Sequence, residues 1–262
     1  MTKTGASGGL SAMKLGKVGL TDVPRERLEI MAEAGEYVVE CYRVLKKSDA
    51  NVVGEMLRGG GEFFEWDHYP DGDVYDWDSH SQYYYHAHPP ENRANKWGAE
   101  HGHFHTFLRP KGMPKHIEPV ALADYEKPEG DNDALTHFIG ISMNRAGFPI
   151  RLFSTNRWVT GEIWYAADDV IAMADLFDID QALPSWPVNI WIGAMLRLFH
   201  PQIAALLIRR DEIVAKWEAS HPGLNAYEDR DLEITSITDI SVKDQIKAVR
   251  KALKKAAYTK LH

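Results

Sequence analysis

The sequence predicts an α+β protein: a central antiparallel meander sheet of four to five strands, flanked by an amino-terminal helix and several carboxy-terminal helices. Apolar residues recur at helical spacing up to Lys47 and again beyond Ala166, whereas the stretch between Glu62 and Tyr165 alternates with a period of two. Strands grouped in the middle with helices segregated to both ends define that class. A chain of 262 residues is at the upper end of what one hydrophobic core serves, so residues 23–262 read as a single domain.

The elements follow in order. Met1 to Leu20 is rich in Gly, Ser and Lys without an apolar core segment, so residues 1–22 read as a disordered arm rather than a signal peptide. Pro24 suits a first helical turn, and Leu28, Met31, Ala32, Gly35, Val38, Val39, Tyr42 and Leu45 continue a helix over 24–47. Gly59, Gly60 and Gly61 break it. Glu62 to Tyr69 reads as a strand, Pro70 to Asp73 as a turn, Gln82 to His88 as a strand, Pro89 to Gly98 as a polar loop and Glu100 to Leu108 as a strand. A further pair, Leu135 to Met143 and Ile150 to Tyr165, is joined by a tight connection from Asn144 to Pro149.

Helical period then returns over 168–257. Asp168 or Asp169 suits the cap of a helix from Ile171 to Phe177, followed by Val188 to Phe199, Pro201 to Glu218 and a basic terminal helix. The most apolar stretch, Val188 to Ile208, is interrupted by Arg197, His200, Pro201 and Gln202, which suits two buried helices and not a membrane span.

Composition narrows the function. A net charge of −8 argues against a nucleic-acid partner, since neutralising phosphates requires a basic face. The basic run from Lys243 to Lys260 carries Ile246, Val249, Leu253 and Ala257 at helical spacing, the pattern of an amphipathic helix with a solvated charged face. Cys41 is the only cysteine, which excludes an intramolecular disulfide and a thiolate zinc site and fits the reducing cytoplasm. The acidic residues Asp67, Asp71, Asp73, Asp76 and Asp78 lack calcium-loop spacing and read as solvated turns.

The strongest chemical signal is Glu100-His101-Gly102-His103-Phe104-His105. On a strand, residues two apart face the same side, so His101, His103 and His105 would form one imidazole row. His80, Gln82, Tyr84, His86 and His88 share a parity upstream, and a hairpin would set His86 or His88 beside His101 or His103. Converging imidazoles hold iron, copper or zinc without cysteine. The candidate ligands are therefore His101, His103, His105, His137 and His86. Glu162 suits acid or base work, and Asn156 and Arg157 suit substrate binding, with Trp158 and Tyr84 as flat walls for a bound small molecule.

His101 to Phe107 resembles the histidine-triad motif of nucleotide hydrolases and transferases, in which the middle histidine, His103 here, attacks phosphorus; Gly102 and Thr106 stand where that motif has bulky apolar residues. The blocks Glu100 to His105 and Thr155 to Glu162 together resemble an uncharacterised bacterial family, which implies no activity. Three functions follow as expectations: a metal-dependent enzyme, an oxidoreductase or hydrolase, acting on a small polar molecule; a histidine-triad-like nucleotide enzyme; or a non-catalytic metal- or ligand-binding protein.

Overall fold

The helical spacing near the amino terminus forms α1 (Arg25–Lys46), which turns Leu28, Met31, Val38, Cys41 and Leu45 inward along one stripe. Pro24 stands at its N-cap, outside the first turn. A short α2 (Val52–Leu57), not expected from the sequence, starts where the Asn51 side chain accepts a hydrogen bond from the Gly54 backbone N–H at 3.0 Å. The computed structural model describes residues 13–58, 61–88, 100–123, 126 and 128–259. The first twelve residues, Gly59, Gly60 and the loop expected over Pro89 to Gly98 lie outside the described residues. Of the stretch read as an arm, Lys14 forms a parallel bridge to Ile237 and an ion pair with Asp239.

The sheet has six antiparallel strands in sequence order, not four to five: β1 (Tyr69–Tyr75), β2 (Ser81–His86), β3 (Glu100–Leu108), β4 (Thr136–Asn144), β5 (Pro149–Thr155) and β6 (Ile234–Asp239). Strand β6 lies between two helices in sequence, and its serine and threonines blur the alternation that marks the others. The expected strand over Glu62 to Tyr69 is not formed. Its place is taken by β1, which includes the residues read as a turn, Pro70 to Asp73. An edge strand tolerates this because no neighbour needs the missing proline N–H. Gly72 and Asp73, at φ 77° and 62°, absorb the register shift between Tyr69 and Val74.

The long strand expected from Ile150 to Tyr165 stops at Thr155. Asn156 there accepts from the Arg157 N–H and caps a single helical turn, α3 (Arg157–Thr160), which Gly161 ends in the left-handed region at φ 64°. The remaining helices are α4 (Ala167–Met173), α5 (Trp186–Leu198), α6 (His200–Ser220) and α7 (Val242–Thr259), making seven α-helices among the described residues. Asp168 and Asp169 sit in the first turn of α4 instead of capping it; Ala166 holds the cap position. No single described helix is long and apolar enough to cross a membrane, and the most apolar stretch bends by 71° between α5 and α6.

One sheet face packs Tyr83, Tyr85, Phe104, Ile141 and Leu152 into a core with Val38 of α1, Trp191 of α5 and Val249 of α7. The other face presents polar groups over β2, β3 and β4, and a second apolar cluster covers its β5–β6 end, with Phe153, Ile213, Leu232 and Ile237. Gly140 joins these regions. It pairs with both His105 and Phe153, and a Cβ there would lie 2.6 Å from two ring carbons of Phe153. The missing side chain lets the Phe153 ring lie across β4 and reach edge-on to His103 and His105, with centroids at 5.1 and 5.8 Å. Gly140→Ala should therefore cost about 1–3 kcal/mol by overpacking. A lowered urea midpoint at unchanged slope is the expected reading; an unchanged midpoint would remove Gly140 from this role.

Candidate metal centre

Continuous register between β2 and β3 sets His86 opposite His103 and Tyr84 opposite His105. Cross-strand partners share a face, so Tyr84, His86, His103 and His105 meet on the side away from the main core. The His86 and His103 Nε2 atoms lie 2.7 Å apart. One ligand atom from each of His86, His103 and His105 falls within 4.8 Å of the other two.

Two register shifts against β4 decide which other histidines join them. Between Glu100 and Gly102 the pairing with β4 slips, as in a β-bulge. Glu100 consequently faces His103, with its Oε1 2.7 Å from His103 Nδ1, while His101 passes to the opposite side. There the Tyr85 hydroxyl meets His101 Nδ1 at 2.7 Å, and Phe63 packs against the ring. Gly102 permits this path, since a Cβ would lie 2.5 Å from the Tyr85 hydroxyl oxygen. The expected row of His101, His103 and His105 is thus broken by the extra residue.

The second shift lies between Thr106 and Phe107. By simple alternation His137 would share the face of Ile139 and Ile141, which belong to the core. The slip turns it to the histidine side, with its Nε2 3.0 Å from His105 Nδ1. Its Nδ1 lies 3.4 Å from the Thr155 hydroxyl. His103, His105 and His137 are 2%, 1% and 2% exposed, so the imidazoles sit in a desolvated row walled by Tyr84, Phe107 and Phe153.

Sequence reasoning did not single out Glu100 or His68. Glu100 stood in the motif, but strict alternation assigned it no contact with His103. His68 stacks flat on Tyr84 at 3.6 Å between centroids and meets Asp73 through Nδ1 at 2.9 Å. His88, marked by its parity, lies 5.0 Å from the His103 ring and 5.1 Å from that of His86. Glu162 is buried, and its Oε2 accepts from the His137 backbone N–H at 2.8 Å. The Asn156 amide is engaged by the α3 cap and by the Ala226 carbonyl, Arg157 pairs with Glu228, and the Trp158 indole donates to the Leu232 carbonyl. These three residues fasten the 226–232 loop, because the strand expected to run to Tyr165 has ended at Thr155.

Burial governs the charge states. It pushes His137 down to about 3, and it holds His86, His103 and His105 well below the usual imidazole range, with neighbouring histidines adding to the effect. Burial raises the Glu162 carboxyl to about 7, against the opposing pull of Arg210. The two shifts have opposite consequences. With folded imidazole values below 6.5, the unfolded chain binds the extra protons, so stability present above pH 6.5 is lost as pH falls. Glu162 binds its proton more tightly when folded; that contribution is present below pH 4.5 and is lost as pH rises toward 7.

The several imidazoles held neutral outweigh the single Glu162 carboxyl, so the net effect is a loss of stability as pH falls below about 6.5. Metal-free protein is therefore expected to unfold on acidification below about pH 6.5 in circular dichroism, and His86→Gln should move the midpoint of that transition to lower pH. Retention of native structure at about pH 3 would contradict the buried neutral row.

No curated protein and no solved structure matches the chain. One family, described as a domain of unknown function and designated DUF6969, matches residues 32–240, a span that contains all six strands and every histidine of the row. Since that match takes in most of the 262 residues, the chain belongs to the DUF6969 family.

Proposed function

We propose that the chain is a metal-dependent enzyme in which His86, His103 and His105 hold a first-row transition ion and the substrate is a small polar molecule. The carrying observation is the convergence of three imidazoles within 4.8 Å on a desolvated face. A nitrogen-only donor set suits zinc, iron or copper. The Cys41 thiol does not compete, because it is buried in the core under α1 and its pKa is pushed up to about 11.

The supporting contacts fit such a centre. With Nδ1 of His103 donating to Glu100, its Nε2 lone pair is left for an ion, the usual carboxylate–histidine arrangement. We assign His137 the same task for His105, orienting the ring through Nδ1, instead of the ligand role its sequence suggested. His86, His103 and His105 would hold the ion together, and the 2.7 Å between the His86 and His103 Nε2 atoms would have to widen to admit it. An ion held by these three histidines would supply Lewis acidity to a small substrate. Glu162, close to neutrality, is the group we assign to proton transfer. The net charge of −8 and the single cysteine support a small-molecule substrate over a nucleic acid, and a cytoplasmic setting.

Protein prepared without a histidine tag should take up about one equivalent of zinc, iron(II) or copper by elemental analysis and titration calorimetry. His103→Ala should abolish uptake, Glu100→Gln should weaken it about 10–100-fold, and His101→Ala should leave it intact. Less than about a tenth of an equivalent, with none taken up on titration, would overturn the assignment.

A further inference from the structure

The basic terminal helix has no part in the metal centre, yet its surroundings are specific. A groove of about 1050 Å³ runs between α7, α1 and the β4–β5 turn. Its apolar lining includes Val39 and Tyr42 of α1, Phe148 and Pro149 of the turn, and Ile246 of α7. Val39 and Phe148 are each about half exposed, which is costly for side chains of that size with nothing laid over them.

Along the same groove stand Lys243, Lys247, Arg250, Lys251 and Lys254. All five are exposed, none of them forms an ion pair among the described residues, and no described Asp or Glu lines the groove. A chain with an excess of eight negative charges has here concentrated five positive ones around an apolar trough. Like charges so close repel one another, and an anion seated among them relieves that repulsion while raising its own local concentration. A solvated helix face accounts for the lysines alone; it does not account for the exposed Val39 and Phe148 beside them.

We infer that this groove binds a small amphipathic anion, a carboxylate or phosphate head on an apolar chain, with the head among the lysines and the chain along Val39, Tyr42 and Phe148. The concave shape and the volume match a site for one small molecule, whereas attachment to a bilayer surface calls for a convex or flat basic face. The inference is independent of the metal centre.

Titration calorimetry of the full chain with decyl phosphate and with decanoate, at low ionic strength, tests it. Saturable binding of one molecule per chain is expected. Inorganic phosphate and butyl phosphate should each bind at least about tenfold more weakly, having lost the apolar chain. The double variant Lys247→Glu, Lys251→Glu should lose at least about tenfold in affinity, as should wild-type protein in high salt. Both lysines are exposed and unpaired, so circular dichroism and metal content should be unchanged in that variant. No saturation below about 1 mM, equal binding of decyltrimethylammonium, or equal affinity in the double variant would overturn the proposal. So would sedimentation with anionic phospholipid vesicles in the absence of binding to the monomeric amphiphiles.

Discussion

Strand β3 carries its histidines at alternate positions, but its two register shifts against β4 decide which side chains share a face. One extra residue near Glu100 exchanges His101 for a carboxylate behind His103. The slip near Phe107 brings His137 across from the core side. Without either shift, the regular ladder would leave His103 without Glu100 and His105 without His137, and its row would end in His101. Bulges of this kind re-aim a side chain at small cost to the rest of the sheet. Here they convert a simple imidazole row into a set of rings backed by hydrogen-bonding partners.

The same face shows why such a row is expensive to maintain and hence informative. An unsatisfied buried nitrogen costs about 1–3 kcal/mol, and the structure limits that cost by pairing the rings with one another, with Glu100 and with the Thr155 hydroxyl. The apolar walls of Phe107 and Phe153 would give more stability if they packed against apolar residues instead. A fold selected for stability alone has no need of three buried imidazoles and a fourth half-buried beside them. Gly140 sharpens the point, because it gives up a side chain so that Phe153 can press against two of these rings.

Much of this was legible in the sequence. Period and parity identified the α+β class, β3 to its ends, a hairpin setting His86 or His88 beside His101 or His103, and His105 and His137 as candidates for the same cluster. What stayed hidden has a common physical origin: alternation describes a regular strand, and the decisive positions are irregular. The bulge at Glu100 left His101 overvalued and Glu100 unnoticed. The Gly72 and Asp73 conformations disguised an edge strand as a turn. Asn156 and Gly161 are signals of a capped helical turn, yet the apolar residues around them masked the end of β5. Strand β6 had too little hydrophobic contrast to stand out between two long helices.

Burial also changes what limits ion binding in acid. An exposed imidazole must lose a proton to act as a ligand below about pH 6.5, and its affinity for a metal falls accordingly. In the row described here, desolvation has already removed that proton. At 2.7 Å, the two Nε2 atoms of His86 and His103 have room for one hydrogen between them, and with His103 donating through Nδ1 that hydrogen belongs to His86. For the proposed ion to be held there, His86 would have to move its hydrogen to Nδ1, with no net release of a proton from the cluster. Protons would then compete with the proposed ion chiefly through the unfolded chain, where the histidines are free to accept them. The acid limit of the centre and the acid limit of the fold are, on this account, one limit, set by the desolvation that makes the imidazoles ready to bind.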